Sequence, residues 1–106
     1  MFQIKVEILL PLYYNDKNRI EEEKYLITYD EIVERFRGCT IDNTPLIGGW
    51  ADPDTKEKYE DESIAYWIVC KRTKENVTFL RKLKGTLKKR FKQLDIMMYY
   101  VSIYQF

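Results

Sequence analysis

The chain has no histidine, and its 106 residues include only two cysteines, three prolines and four glycines. Without imidazole, the usual acid/base near neutral pH, the serine and cysteine triads and the commonest transition-metal ligand are excluded. Catalysis would have to rest on carboxylates, tyrosine, lysine or cysteine. Cys39 and Cys70 belong to no paired spacing, so zinc and dithiol motifs have no support and both are expected to be idle thiols. Cys39 also follows the C-terminal end of a predicted helix, the wrong end for stabilising a thiolate. Gly48-Gly49 lacks the Lys-Ser/Thr and the following helix of a phosphate loop. No long apolar run occurs: Met1 to Glu7 alternates apolar and polar residues. Neither a secretory signal nor a membrane span is therefore predicted, and a cytoplasmic location is expected.

With 45% apolar and 33% charged residues, the composition is that of a compact globule. The length predicts a single domain over 1–106 that buries roughly two thirds of its unfolded surface. The net charge of +1 conceals a strong polarity. Residues 1–70 hold eight Lys/Arg against fifteen Asp/Glu, a balance of −7. Residues 71–92 hold ten basic residues against Glu75 alone, a balance of +9, and Asp95 supplies the remaining −1.

Phe2, Ile4, Val6, Ile8, Leu10 and Leu12 alternate with Gln3, Lys5 and Glu7, the period of a half-buried strand that Pro11 ends or frays. Tyr13 to Lys24 is polar and reads as a turn followed by a solvated connection. Thr28 and Glu31 have the spacing of a capping box, so a first helix is predicted from there through Tyr29, Ile32, Val33 and Phe36, closed by Gly38. Thr40–Ala51 and Tyr59–Arg72 flank the turn-forming run Asp52-Pro53-Asp54-Thr55-Lys56, predicting a hairpin with a bulge or irregularity at Gly48-Gly49. Thr73 caps a second helix reaching Leu94, whose stripe is Leu80, Leu83, Leu87, Phe91 and Leu94 with Phe79 at its edge. Ile96–Phe106 reads as a last strand, long enough to be central or to extend past its neighbours.

This order of elements predicts an α+β, ferredoxin-like split β-α-β fold: a four-stranded antiparallel sheet with two helices on one face. The other face would carry Gln3, Lys5 and Glu7 with one alternating set from each of the later strands. The third strand offers Ala65, Trp67 and Val69 or Ile64, Tyr66 and Ile68; the last strand, independently, offers Met97, Tyr99, Val101 and Ile103 or Met98, Tyr100 and Tyr104. Either is too apolar to stay uncovered, so a homodimer packed sheet to sheet, or a larger protein partner, is expected. Trp67 is the binding candidate of that face.

Leu10-Pro11-Leu12 with Asn15-Asp16, Arg35-Phe36-Arg37-Gly38-Cys39-Thr40, Gly49-Trp50-Ala51-Asp52-Pro53-Asp54-Thr55, Asp61-Glu62 and Arg90-Phe91-Lys92-Gln93 form an ordered series. In order and spacing it resembles a group of short bacterial proteins of about this size, over nearly the whole chain. The group carries no established activity, so the resemblance implies no ligand, cofactor or site. Where its hairpin turn often has glycine, this chain has Lys56.

Other candidate chemistry is sparse. Asp52, Asp54, Glu57, Glu60, Asp61 and Glu62 lack the spacing and central glycine of a calcium loop and read as a solvated hairpin tip, so no metal site is expected. Tyr13 and Tyr14, beside Asn15 and Asp16, either line a pocket or simply end a strand. No cofactor motif is present. The second helix is the main functional lead: Arg81, Lys84, Lys88 and Lys92 form a ridge beside its apolar stripe, and Lys82 and Lys89 lie beyond it. Such a surface suits a phosphate backbone or an acidic protein, or is a solvated face favourable to the helix dipole. The paired strand aromatics of an RNA-recognition module are missing. Three readings stand. One is a non-catalytic binding or accessory module, dimerising through its sheet and offering Arg81, Lys84, Lys88, Lys89 and Lys92 to nucleic acid or an acidic partner. The others are a small histidine-free enzyme of the dimeric ferredoxin-like kind and a metal-dependent nuclease of related fold.

Overall fold

The computed structural model describes residues 2–106. Its elements are β1 (Gln3–Pro11), α1 (Glu22–Phe36), β2 (Thr40–Ala51), β3 (Lys58–Lys71), α2 (Lys74–Arg90) and β4 (Met98–Ile103). The strands form one sheet in the order β2-β3-β1-β4, with every neighbouring pair antiparallel. This is the ferredoxin-like split β-α-β fold that the sequence predicts.

β1 is hydrogen-bonded on both sides, and its alternation decides which way the sheet faces. Ile4, Val6, Ile8 and Leu10 are buried and pair with Cys70, Ile68, Tyr66 and Ile64 of β3. Against this surface pack Tyr25 and Ile32 of α1 and Leu80, Leu83 and Leu87 of α2, together with Leu12, Ile20, Phe91 and Ile96 from the connections. Edge-to-face ring pairs bind the layers: Tyr25 with Phe91 at 5.3 Å, Phe36 with Phe79 at 5.5 Å and Tyr29 with Tyr66 at 6.5 Å.

Several expectations are corrected. α1 begins six residues before Thr28, at Glu22, because Glu22 and Glu23 suit the positive end of the helix dipole and Tyr25 opens its buried stripe. Thr28 is therefore inside the helix and fully buried, donating to the Lys24 carbonyl at 2.7 Å. The Thr28/Glu31 pair serves a different end from capping. Arg90 of α2 donates to Thr28 Oγ1 at 2.9 Å and to both Glu31 oxygens at 3.0 and 2.6 Å, tying the two helices together. The left-handed residue closing α1 is Arg37, at φ 67°, rather than Gly38.

α2 is capped by Thr73 as expected, its side chain accepting from the Asn76 amide. It stops at Arg90. Lys92 adopts φ 52° and the Gln93 amide returns to the Lys88 carbonyl, a left-handed termination without glycine. The chain then leaves the helix axis, so Leu94 is 93% exposed and Ile96 takes the core place predicted for it. β4 is shorter than predicted and lies at the edge of the sheet. The bulge between β2 and β3 falls between Asp42 and Leu46, while Gly48 and Gly49 pair regularly with Asp61 and Glu60.

The hairpin turn is built by Asp52, whose Oδ1 accepts from the amides of Asp54 at 2.8 Å and Thr55 at 3.1 Å. Those amides, that of Thr55 foremost, hold the Asp52 carboxyl below its ordinary range. Lys56 sits at φ 65°, the conformation in which glycine is least strained. Lys56→Gly is expected to raise unfolding stability by about 0.5–1 kcal/mol in urea denaturation, and a loss would count against the turn described. Arg90→Met should cost about 1–3 kcal/mol, because it strips a buried hydroxyl and a half-buried carboxylate of a shared partner. Lys84→Met, which breaks the exposed 3.1 Å pair with Asp95, should cost less than about 1 kcal/mol. Equal losses in the two variants would show that Arg90 is no clamp.

Candidate functional site

The odd positions of β1 point away from both helices, and among the described residues no element packs over them. Across from Lys5, Glu7 and Leu9 stand Val69, Trp67 and Ala65 of β3; on the other side Gln3, Lys5 and Glu7 face Ile103, Val101 and Tyr99 of β4. The open face thus carries the Ala65, Trp67 and Val69 alternative of β3 and the Tyr99, Val101 and Ile103 alternative of β4. It continues onto the hairpin, where Leu46 pairs with Ser63 and Trp50 with Tyr59, their rings stacked at 4.5 Å. Leu46, Trp50, Tyr59, Tyr99 and Val101 are between 40% and 52% exposed, an extended apolar surface.

Polar side chains interrupt it: Thr40 and Asp42 opposite Trp67 and Ala65, Asp61 opposite Gly48, and Gln3, Lys5 and Glu7 in β1. Glu7 lies between Trp67 and Tyr99 in adjacent strands, and Tyr99 donates its hydroxyl to Glu7 Oε2. That bond raises the Tyr99 phenol above its ordinary pKa. Lys5 Nζ lies 3.7 Å from Glu7 Oε1 and 4.5 Å from the centre of the Trp67 ring. A carboxylate, an ammonium, a phenol and an indole are thereby gathered on one patch of a bare sheet. Sequence reasoning placed each on its strand without joining them; the signal was the charged pair Lys5/Glu7 inside an apolar strand.

The predicted binding residues fall into two places. Trp67 belongs to the open face, whereas α2 lies on the other side of the sheet. Arg81, Lys82, Lys89 and Lys92 are exposed, and Lys84 and Lys88 are half-buried. Lys84 is engaged with Asp95 and Arg90 is committed to Glu31, so the cationic surface is narrower than the sequence count. Tyr14 does not stand free: it donates to Glu21, accepts from Lys24 and has Lys92 Nζ 5.2 Å from its ring centre. Tyr13 lies exposed under Arg19 at 5.5 Å. Neither cysteine is activated. Burial pushes the Cys39 thiol from 9.0 up to about 11 and raises that of Cys70. Among the described residues no helix is long and apolar enough to cross a membrane.

No protein-family model matches the chain, and no curated protein matches it in sequence. Solved structures do. A phage SAM lyase in complex with S-methyl-5'-thioadenosine has a TM-score of 0.67 at 17% identity, over 97% of this chain and 90% of that one. The divalent cation tolerance protein Cut A1 of Thermus thermophilus has a TM-score of 0.64 at 17% identity, over 97% and 85%. GlnK of B. subtilis, solved as an ATP complex, has a TM-score of 0.58 at 16% identity, over 96% and 82%. At these identities the likeness speaks for the fold alone.

The buried acids give the protein an alkaline limit. Desolvation raises Tyr25 from 10.0 to about 12 and lifts Tyr66 as well as both thiols. Each loses its proton first in the unfolded chain, so the stability they contribute is full below about pH 9 and is lost as pH rises towards about 12. Urea midpoints should fall across that interval, and Cys39→Ala/Cys70→Ala should remove the part between about pH 9 and about pH 11. Midpoints that stay level to pH 12 would sink this account.

Proposed function

We propose that the chain is a self-assembling binding module in which copies cover one another's open sheet faces and hold a small adenosine-bearing ligand at the Lys5/Glu7/Trp67/Tyr99 group. The observation that carries this reading is the outward sheet face, where Trp50, Tyr59, Tyr99 and Val101 are exposed and Lys5, Glu7, Trp67 and Tyr99 form an organised group. An apolar surface of this extent is stabilised by burial at roughly 25 cal/mol per Å². A twofold pair is the simplest arrangement, because Lys5 of one copy can then meet Glu7 of the other, and the reverse. The ligand class is supported by chemistry and by likeness. Trp67 offers a plane on which a purine stacks, and Glu7 accepts from ribose hydroxyls. Two of the solved structures with this fold hold S-methyl-5'-thioadenosine and ATP, which share adenosine. Nucleic acid on α2 draws less support, since Lys84 and Arg90 already have partners within the chain.

Sedimentation at roughly tens of micromolar should show an oligomer, and a strict monomer would remove the reading's basis. Calorimetry with S-methyl-5'-thioadenosine and with ATP should show binding of at least one. Trp67→Ala should weaken it about tenfold or more, the loss of one stacked base being about 1–3 kcal/mol. Equal affinity in Trp67→Ala and wild type would place the ligand elsewhere. Incubation with SAM and chromatography of the products separates binding from turnover: product formation abolished by Glu7→Gln would make the same patch a lyase site.

A further inference from the structure

The hairpin and α2 each present a charged surface that the chain itself leaves unmatched. Beyond the pair Pro11–Ser63, β2 and β3 have only each other as strand partners, and the hairpin runs out from the body of a molecule whose longest dimension is 46 Å. Residues 52–62 hold Asp52, Asp54, Glu57, Glu60, Asp61 and Glu62 against Lys56 and Lys58, a balance of −4. Among the described residues, the ion pairs are Lys5–Glu7, Lys24–Glu21, Lys84–Asp95 and Arg90–Glu31, so none of the hairpin carboxylates is in one. The same holds for Lys74, Arg81, Lys82, Lys88, Lys89 and Lys92 on and just after α2.

Each surface also exposes one large aliphatic side chain among its charges. Ile47 is 74% exposed and pairs across the ribbon with Glu62, while Glu60 follows on the same side opposite Gly49. Leu94 is 93% exposed, two residues after Lys92. A carboxylate surface around an isoleucine and an ammonium surface around a leucine complement each other in both charge and polarity.

We infer that the acidic hairpin of one copy docks on the basic α2 of another copy. This rests on the reading that the chain self-assembles, and it adds which surfaces meet outside the open sheet face. A second copy fits better than nucleic acid for a physical reason. A phosphate backbone would neutralise α2 but be repelled by the hairpin, whereas another copy neutralises both surfaces through a repeated contact. The net charge of +1 leaves copies free to approach. Because every copy carries both surfaces, the contact is reciprocal in a pair or repeats around a closed ring.

Charge exchange tests this. Arg81→Glu/Lys88→Glu lowers the balance of residues 71–92 from +9 to +5, and Glu60→Lys/Glu62→Lys brings that of residues 52–62 from −4 to 0; Lys17→Glu/Arg37→Glu alters charge to the same extent away from both. Circular dichroism first establishes that each variant is folded. By sedimentation at about 50 mM salt, each of the first two variants should assemble about tenfold or more weakly than wild type. Their equimolar mixture should recover assembly to within a few-fold of wild type, and the third variant should behave as wild type. Wild-type assembly by either surface variant, or no recovery on mixing, would overturn the docking while leaving assembly through the sheet intact. A wild-type chain that is monomeric throughout would overturn both. A short duplex that binds wild type and Glu60→Lys/Glu62→Lys but not Arg81→Glu/Lys88→Glu, with no recovery on mixing, would make α2 a nucleic-acid surface instead.

Discussion

β1 is hydrogen-bonded along both edges, to β3 over its whole length and to β4 over most of it. A strand held in this way cannot rotate or slip without exposing its apolar residues, because a shift of one position exchanges the two faces. Ile4, Val6, Ile8 and Leu10 must therefore meet the helices, and Lys5, Glu7 and Leu9 must look out on the other side. The core and the candidate site are two sides of one register.

The helices are held to this sheet mainly by apolar burial, but their relation to each other has a polar component. Arg90 reaches from the last turn of α2 to Thr28 and Glu31 of α1, and the ring pairs Tyr25–Phe91 and Phe36–Phe79 lie along the same seam. Buried hydroxyls are also satisfied: Tyr66 donates to the Tyr25 carbonyl at 3.1 Å and Tyr25 donates to the Pro11 carbonyl. Among the described residues no buried side-chain polar atom lacks a partner.

Charge and apolarity are concentrated on different surfaces. The open face gathers apolar residues around the Glu7 carboxylate, the hairpin is acidic and α2 is basic; Glu60 and Glu62 continue the helix-facing alternation of β3, on the side of the sheet where α2 packs. Among the described residues none of the hairpin carboxylates is in an ion pair with α2, and interactions between exposed charges fade over about 8 Å at physiological salt.

The sequence by itself determined the order of elements, the two-faced character of β1 and the Thr73 cap, because each depends on neighbours in the chain or on simple periodicity. It misled where a local signal had a tertiary use. Thr28 and Glu31 have the spacing of a cap but belong to Arg90, fifty-nine and more residues away. Leu94 continues the stripe in number but not in space, because Lys92 turns the backbone with a left-handed conformation that glycine ordinarily marks. The choice between the two apolar sets of β3 and β4 was likewise beyond periodicity, since both alternate equally well. Only the pairing of Glu7 with Trp67 and Tyr99 decided it, and with it the group of side chains on the open face.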